Sequence, residues 1–101
     1  MNPRFVNIIK SSKAVLVDFY AEWCIPCKDV TPILKEVKKE ISQVKIIKVD
    51  VDKNPVIASH YKIHRLPTLI FFKQGELLWT GEGVYGAKEL KEIIIHRLNG
   101  N

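Results

Sequence analysis

The sequence of 101 residues contains only two cysteines, Cys24 and Cys27, and no long apolar run. Cysteines separated by two residues close so small a ring that their disulfide would hold no distant parts of the chain together, which excludes a disulfide-stapled fold. No apolar run approaches the length that spans a bilayer, and residues 1–10 lack the apolar core of a secretory signal. We therefore predict a cytoplasmic protein with no membrane association.

Internal repeats, linkers and low-complexity segments are also missing from the sequence. Hydrophobic residues make up 47% of the chain and charged residues 27%, which indicates a globular protein rather than a disordered one. We predict that residues 1–101 form a single domain. The formal net charge is +5, but acids lie among the dispersed lysines and arginines, so we expect a solvated surface, a monomer and no nucleic-acid partner.

Hydrophobic periodicity predicts an alternation of helices and strands. Helices are predicted over residues 3–12, from the cysteines to about residue 40, over 55–61 and over 87–98; strands are predicted over 14–20, 44–51, 68–72 and 76–80. Pro32 should kink the second helix, and the short link at 73–75 should join the last two strands as an antiparallel hairpin. This order predicts an α/β fold with a mixed sheet and helices on both faces.

The chemistry is concentrated where the first strand meets the second helix. A Cys-x-x-Cys motif between a strand and a helix, in a chain without a secretory signal, indicates thiol-disulfide exchange. Because Cys24 lies at the start of a helix whose dipole favours a thiolate, we predict that it attacks the target disulfide and that Cys27 resolves the mixed disulfide. Two ordinary buried thiols are the alternative.

Asp18 interrupts an apolar strand that should be covered on both faces. An unpaired carboxylate there would be costly, so its pKa should be raised, and such an acid can exchange a proton with the nearby resolving thiol. A simple pairing of Asp18 with Lys48 is the alternative, and the two roles can coexist.

Motifs along nearly the whole chain resemble the thioredoxin family, in the right order. They are Val17-Asp18-Phe19, Ala21-Glu22-Trp23-Cys24, Pro26-Cys27-Lys28, Val49-Asp50, Asp52-Lys53-Asn54-Pro55, Leu66-Pro67-Thr68, Phe72-Lys73, Gly75-Glu76 and Gly83. The resemblance implies a thioredoxin fold and a protein-disulfide reductase that uses no cofactor, acts on disulfide-bearing proteins and is recharged by a thioredoxin reductase. It also implies that Asp18 serves Cys27, and that Lys48 tunes Asp18.

The resemblance further implies a substrate groove in which a cis Leu66–Pro67 bond faces the cysteines and leaves backbone groups free to pair with an extended substrate. The apolar rim of that groove would consist of Trp23, Ile25, Pro26, Leu66, Gly83 and Val84.

Two departures from the family pattern carry expectations of their own. Ile25 stands where the family usually has Gly, which leaves open a shifted potential and hence a disulfide isomerase or oxidant, although Pro26 in place of His speaks against it. The residues before Val15 are too few for the family's leading strand and helix, so we expect a four-stranded sheet without the leading edge strand.

Two further classes of function remain as alternatives. A noncatalytic binding module would not need Asp18. A zinc module would need two ligands besides the cysteines, and His60 and His64, four residues apart, provide only a weak signal for them. We therefore predict no metal site.

Overall fold

Helices and strands alternate along residues 1–100, the range that the computed structural model of the protein describes. The elements are α1 (Pro3–Lys10), β1 (Ala14–Tyr20), a 3₁₀ turn (Pro26–Asp29), α2 (Val30–Glu40), β2 (Lys45–Asp50), α3 (Pro55–His60), β3 (Thr68–Lys73), β4 (Glu76–Glu82) and α4 (Ala87–Asn99). The predicted order of elements is confirmed, with small differences at their ends. The predicted domain ends at Asn101, which lies outside the described residues.

The strands of residues 1–100 form one mixed four-stranded sheet in the order β2-β1-β3-β4. β1 pairs in parallel with β2, and β3 runs antiparallel to both β1 and β4. The expected four-stranded mixed sheet is confirmed, and within residues 1–100 no strand precedes β1. As a result β2 lies at the edge of the sheet, and no described strand pairs with its outer side.

Both faces of β1 are buried, because helices cover the sheet on each side. On one face Leu16 packs in a cluster with residues of α2 and α4, among them Leu34 and Leu90. On the other face Phe19 packs in a cluster with Phe5 of α1 and residues of α3. Each large apolar side chain that is fully buried in this way contributes roughly 1.5–3 kcal/mol. A rigid central strand therefore ends just before the cysteines.

The helix predicted to follow the cysteines is divided into two parts. The 3₁₀ turn, Pro26–Asp29, contains Cys27 but not Cys24, and α2 begins only at Val30, with Pro32 as its third residue. Because proline has no N–H and its ring crowds the carbonyl four residues back, the α-helical bond from residue 32 to Lys28 cannot form. The discontinuity therefore lies at the start of α2 instead of after its first turns.

The hairpin between β3 and β4 turns through Gln74 and Gly75. Both residues have positive φ angles, 52° and 85°, as a two-residue turn of the type that matches strand twist requires. The prediction anticipated the positive φ at Gly75 and missed the one at Gln74. A bulge between Phe71 and Phe72 shifts the register, and β4 continues to Glu82. The longer β4 places Gly83 beside the beginning of β3.

Candidate active site

The two cysteines lie immediately beyond the end of β1 and form a disulfide with a Cα–Cα distance of 5.4 Å. A turn in which the N–H of Cys24 donates to the carbonyl of Ala21 (3.1 Å) leads the chain out of the strand. The backbone N–H of Cys27 donates to Sγ of Cys24 at 3.2 Å. This hydrogen bond comes from the 3₁₀ turn, so the turn provides the local positive field that the sequence assigned to a longer helix.

The disulfide is sheltered, since Cys24 and Cys27 are each 4% exposed. They pack in a small cluster with Ala21, against which Leu66 and Tyr20 also lie. Exposure therefore does not distinguish the two sulfurs. The N–H donated to Cys24 does distinguish them, because a backbone donor stabilises negative charge on the sulfur that accepts it.

Asp18 is completely buried in β1, as predicted. Within residues 1–100 neither of its carboxylate oxygens has a hydrogen-bond partner. Burial raises the pKa of Asp18 from 3.8 to about 6, and the positive charge of Lys48 opposes part of that shift. The carboxyl group can therefore change its protonation state close to neutral pH.

Lys48 is the residue of β2 that stands beside Asp18 in the parallel register. In the described part of the chain no ion pair joins the two, so simple pairing is not observed. The Lys48 ammonium instead lies 4.7 Å from the centre of the Tyr20 ring and donates to Oγ1 of Thr31 at 3.2 Å. These two contacts hold the charge at the mouth of the site, where it acts on Asp18 through space.

A cavity of about 220 Å³ lies beside Cys27. Its lining consists of Tyr20, Ala21, Glu22, Cys27, Lys28, Thr31 and Lys48. The lining includes the polar side chains of Glu22, Thr31 and Lys48, and the cavity is large enough to hold water. It thus joins Cys27 to the lysine that stands beside Asp18.

The peptide bond between Leu66 and Pro67 is cis, as the resemblance implied. Leu66 packs against the cysteine cluster, and the carbonyl of Pro67 accepts a hydrogen bond from the N–H of Gly83 at 2.8 Å. Because this carbonyl already accepts a hydrogen bond within the protein, fewer backbone groups beside the cis bond are free to pair with a substrate. The structure brings Gly83 beside Pro67, although the complete β3–β4 hairpin separates the two residues in the sequence.

Three of the proposed rim residues are conspicuously exposed for apolar side chains. Trp23 is 68% exposed, Ile25 is 72% exposed and Val84 is 46% exposed, and Pro26 beside them is exposed as well. Trp23 is nevertheless fixed, because its indole N–H donates to Oδ2 of Asp52 at 2.7 Å. The cysteines consequently lie in an apolar surface that includes a positioned tryptophan.

Sequence reasoning missed three residues of this site: Thr31 and Tyr20, which hold Lys48, and Asp52, which holds Trp23. Thr31 gave no signal, because its contact depends on where α2 begins. Asp52 lies in a conspicuous turn whose N–H groups are bound by Asp50. An acid in a turn that follows a strand could have been considered a partner for an exposed indole.

The two histidines are not arranged on one helix. α3 ends at His60, so His64 does not share a helical face with it. No group of three or more His, Cys, Asp or Glu side chains within residues 1–100 has the geometry to hold a metal ion. His60 instead packs edge-on against Tyr61.

Replacement of Gly83 by alanine is expected to lower the free energy of unfolding by about 1 to 2 kcal/mol, because its φ of +90° disfavours an L side chain. Among the described residues no atom lies within 4 Å of the added Cβ, so packing should add nothing to this cost. Gly86→Ala is the matched control, since its added Cβ is equally free and its φ is −67°. Urea unfolding measures both; an equal loss in the two variants would contradict the assignment to backbone strain.

The family model described as "Thioredoxin" matches residues 2–96. A thioredoxin of Rickettsia bellii is 46% identical over 89 residues, which are 87% of this chain and 85% of that protein. Thioredoxin Y1, chloroplastic, of Arabidopsis thaliana is 46% identical over 88 residues, covering 86% of this chain and 51% of that protein. The oxidised form of mitochondrial thioredoxin 3 from Saccharomyces cerevisiae superposes with a TM-score of 0.84 at 34% identity, covering 91% of this chain and 86% of that one.

No helix within residues 1–100 has both the length and the apolar character to cross a membrane.

Proposed function

The chain belongs to the thioredoxin family, whose members are protein-disulfide oxidoreductases, and from this premise we propose that Cys24 is the attacking thiol and Cys27 the resolving thiol. The observation that carries the assignment is the hydrogen bond from the N–H of Cys27 to Sγ of Cys24. The same donor is available to a Cys24 thiolate in the reduced protein and lowers the free energy of that thiolate.

The proposed reaction transfers two electrons in two exchanges. The Cys24 thiolate attacks one sulfur of the target disulfide, forming a mixed disulfide, and the other target sulfur leaves as a thiolate that takes up a proton. Cys27 then loses its proton and attacks Sγ of Cys24, which forms the Cys24–Cys27 disulfide and expels the second target thiolate. The target gains two electrons from the protein and two protons, one that Cys27 gives up and one from the solvent, which took up the proton of Cys24 when its thiolate formed.

Asp18 is proposed to take the proton of Cys27 through water in the cavity beside that residue. Its raised pKa supports this role, since a general base works best when its pKa lies near the working pH. Lys48 is proposed as a positioning residue that sets the protonation of Asp18 from the cavity mouth. The contacts of Lys48 with Tyr20 and Thr31 support this role, because they fix its distance from the buried carboxyl group.

The substrate is proposed to dock as an extended segment across the apolar surface around the cysteines. The residues assigned to that surface are Trp23, Ile25, Pro26, Leu66, Pro67, Gly83 and Val84. Two observations support the assignment. The apolar side chains of Trp23, Ile25 and Val84 are exposed, and Leu66 packs against the cysteine cluster. Because the indole of Trp23 is already held by Asp52, docking loses less side-chain conformational entropy at this position.

The direction of electron flow is proposed to be that of a reductase. A disulfide isomerase or oxidant is the second candidate, because Ile25 replaces the usual glycine directly beside Cys24. Since Ile25 is 72% exposed, most of its side chain faces solvent, where a partner could touch it, which favours an effect on partner choice.

Titration of the Cys24–Cys27 couple against dithiothreitol redox buffers, followed by tryptophan fluorescence, tests this direction. We expect the potential usual for the family, about −270 mV, and a change of less than about 30 mV in Ile25→Gly because the isoleucine side chain is solvated. A potential at or above the glutathione pool, together with a return to the lower value in Ile25→Gly, would establish the isomerase or oxidant instead.

The partners proposed for this chemistry are disulfide-bearing proteins as substrates and a thioredoxin reductase as the electron donor. We further propose that residues 1–101 act as one domain, as a monomer, in the reducing environment of the cytoplasm, which matches a chain whose two cysteines both serve exchange. Imaging of the tagged protein in its own cell tests the location, with a reducing organelle as the competing outcome.

A further inference from the structure

A basic groove of about 500 Å³ runs between α2 and the outer edge of β2. Its lining consists of Thr31, Leu34, Lys35, Lys38, Lys45, Ile46 and Lys48, which include four lysines and no acid. Thr31 and Lys48 also line the cavity beside Cys27. The groove therefore begins at the active site and continues away from it along the sheet edge.

Two of the four lysines have no structural task in the described part of the chain. Lys38 donates to the carbonyls of Ser42 and Val44 and so closes the connection from α2 to β2. Lys48 is held by Tyr20 and Thr31. Lys35 and Lys45 are exposed, and within residues 1–100 neither takes part in a side-chain hydrogen bond or ion pair. Their charges are available to a ligand.

The floor of the groove suits an extended polypeptide. Leu34 and Ile46 supply apolar surface, and β2 presents an edge at which alternate residues direct their N–H and C=O groups away from β1. Within residues 1–100 no strand occupies that edge. An added strand can pair with such backbone groups, whereas a nucleic acid would use only the lysines.

We propose that this groove binds an acidic, extended segment of the disulfide substrate, adjacent to the disulfide that Cys24 attacks. The proposal rests on the function proposed above and adds a substrate class to it. Charge complementarity selects the occupant, since a groove lined by four lysines and no acid favours glutamate and aspartate. A second copy of the chain is disfavoured, because pairing two β2 edges would bring two sets of four lysines together.

The test uses two synthetic peptides that share one small disulfide ring and differ only in a six-residue extension, Glu-Thr repeats in one and Gln-Thr repeats in the other. Six extended residues span about 20 Å, the length of β2. The measured quantity is the ratio of the second-order rate constants with which the reduced protein, mixed with peptide at physiological salt, reduces the Glu peptide and the Gln peptide. A ratio of about ten is expected from several partly exposed charge pairs acting together.

The variant Lys35→Glu/Lys45→Glu is expected to bring that ratio to about one or below, because it reverses the two available charges. The variant Lys13→Glu/Lys88→Glu is the matched control, with the same change in net charge at exposed positions outside the groove. It should keep most of the wild-type ratio. A ratio near one in the wild type, or equal losses in the two variants, would overturn the proposal.

Amide hydrogen exchange separates edge docking from general attraction. The Glu peptide should slow amide exchange at alternate residues of β2, and unchanged exchange would overturn the proposal. Slower exchange in β2 at higher protein concentration, without peptide, would also overturn it, because a second copy of the chain would then occupy the edge. Tighter binding of a single-stranded oligonucleotide than of the Glu peptide would also overturn it. Failure to reduce either peptide would instead refute the proposed reductase, so the two failures are distinguishable.

Discussion

A Cys27→Ser variant in its reduced form is expected to accumulate as a mixed disulfide between Cys24 and its target. In the proposed reaction the first exchange needs only the Cys24 thiolate, whereas release of the target needs the thiol at position 27. The second exchange is expected to be fast in the native protein because the two sulfurs are held within one turn, and intramolecular reactions of this kind gain effective concentrations on the order of 10⁵ M or more. Without that thiol the complex should persist until an external thiol resolves it.

Cys24→Ser is the matched control, because it removes a thiol of the same burial from the same cluster. It should form no trapped complex and should reduce a peptide disulfide at least about a thousandfold more slowly than the native protein, since a hydroxyl cannot replace a thiolate nucleophile. Non-reducing electrophoresis and intact mass spectrometry measure the adducts. Trapping by Cys24→Ser together with none by Cys27→Ser would reverse the two assignments.

The sequence predicted those parts of the site that lie next to each other along the chain. The apolar run of β1 with Asp18 inside it, the cysteine pair after its end and the proline that opens β3 each follow from local patterns. The burial of Asp18 could be predicted because the other residues of the strand are nearly all apolar, and such a strand must be covered on both faces. The resemblance to the thioredoxin family added the cis bond at Pro67, which no pattern of residues would have given.

Contacts between distant side chains could not be predicted in the same way. Lys48 was expected to pair with Asp18 or to tune it, and the choice depended on Tyr20 and Thr31, which compete for the ammonium. The position of Thr31 follows from the late start of α2, itself a consequence of Pro32. The contact between Gly83 and Pro67 likewise required the true length of β4, which the bulge in the hairpin helps to set.

Asp18→Asn is expected to make the protein more stable than the wild type above pH 7 and nearly equal to it at pH 4. The folded-state pKa of Asp18 is about 6 against an ordinary value of 3.8. Between those values the folded protein holds a proton that the unfolded chain has lost, so stability falls as the pH rises. The loss is complete above pH 6 and amounts to roughly 3 kcal/mol, by about 1.4 kcal/mol per unit of pKa difference. The variant escapes this loss.

Urea unfolding at pH 4 and pH 8 measures the effect as a difference between variant and wild type, which cancels the contribution of the other acids. Asp29→Asn is the control, because Asp29 is an exposed carboxylate near the same site. Its difference from the wild type should change little between the two pH values. An equal stability difference at both pH values for Asp18→Asn would show that the buried carboxyl group is not the source.

The same substitution should slow the resolution of the mixed disulfide by about a hundredfold at pH 7, the lower part of the range for removal of a general base. In the wild type the resolution rate should rise with pH through an inflection near 6, where Asp18 becomes able to accept a proton, and Asp18→Asn should lack that inflection. Lys48→Met should move it to higher pH, because the lysine charge holds the pKa of Asp18 down. A merely structural Asp18 would change stability and leave the profile in place, so an inflection that survives in Asp18→Asn would remove the acid from the mechanism.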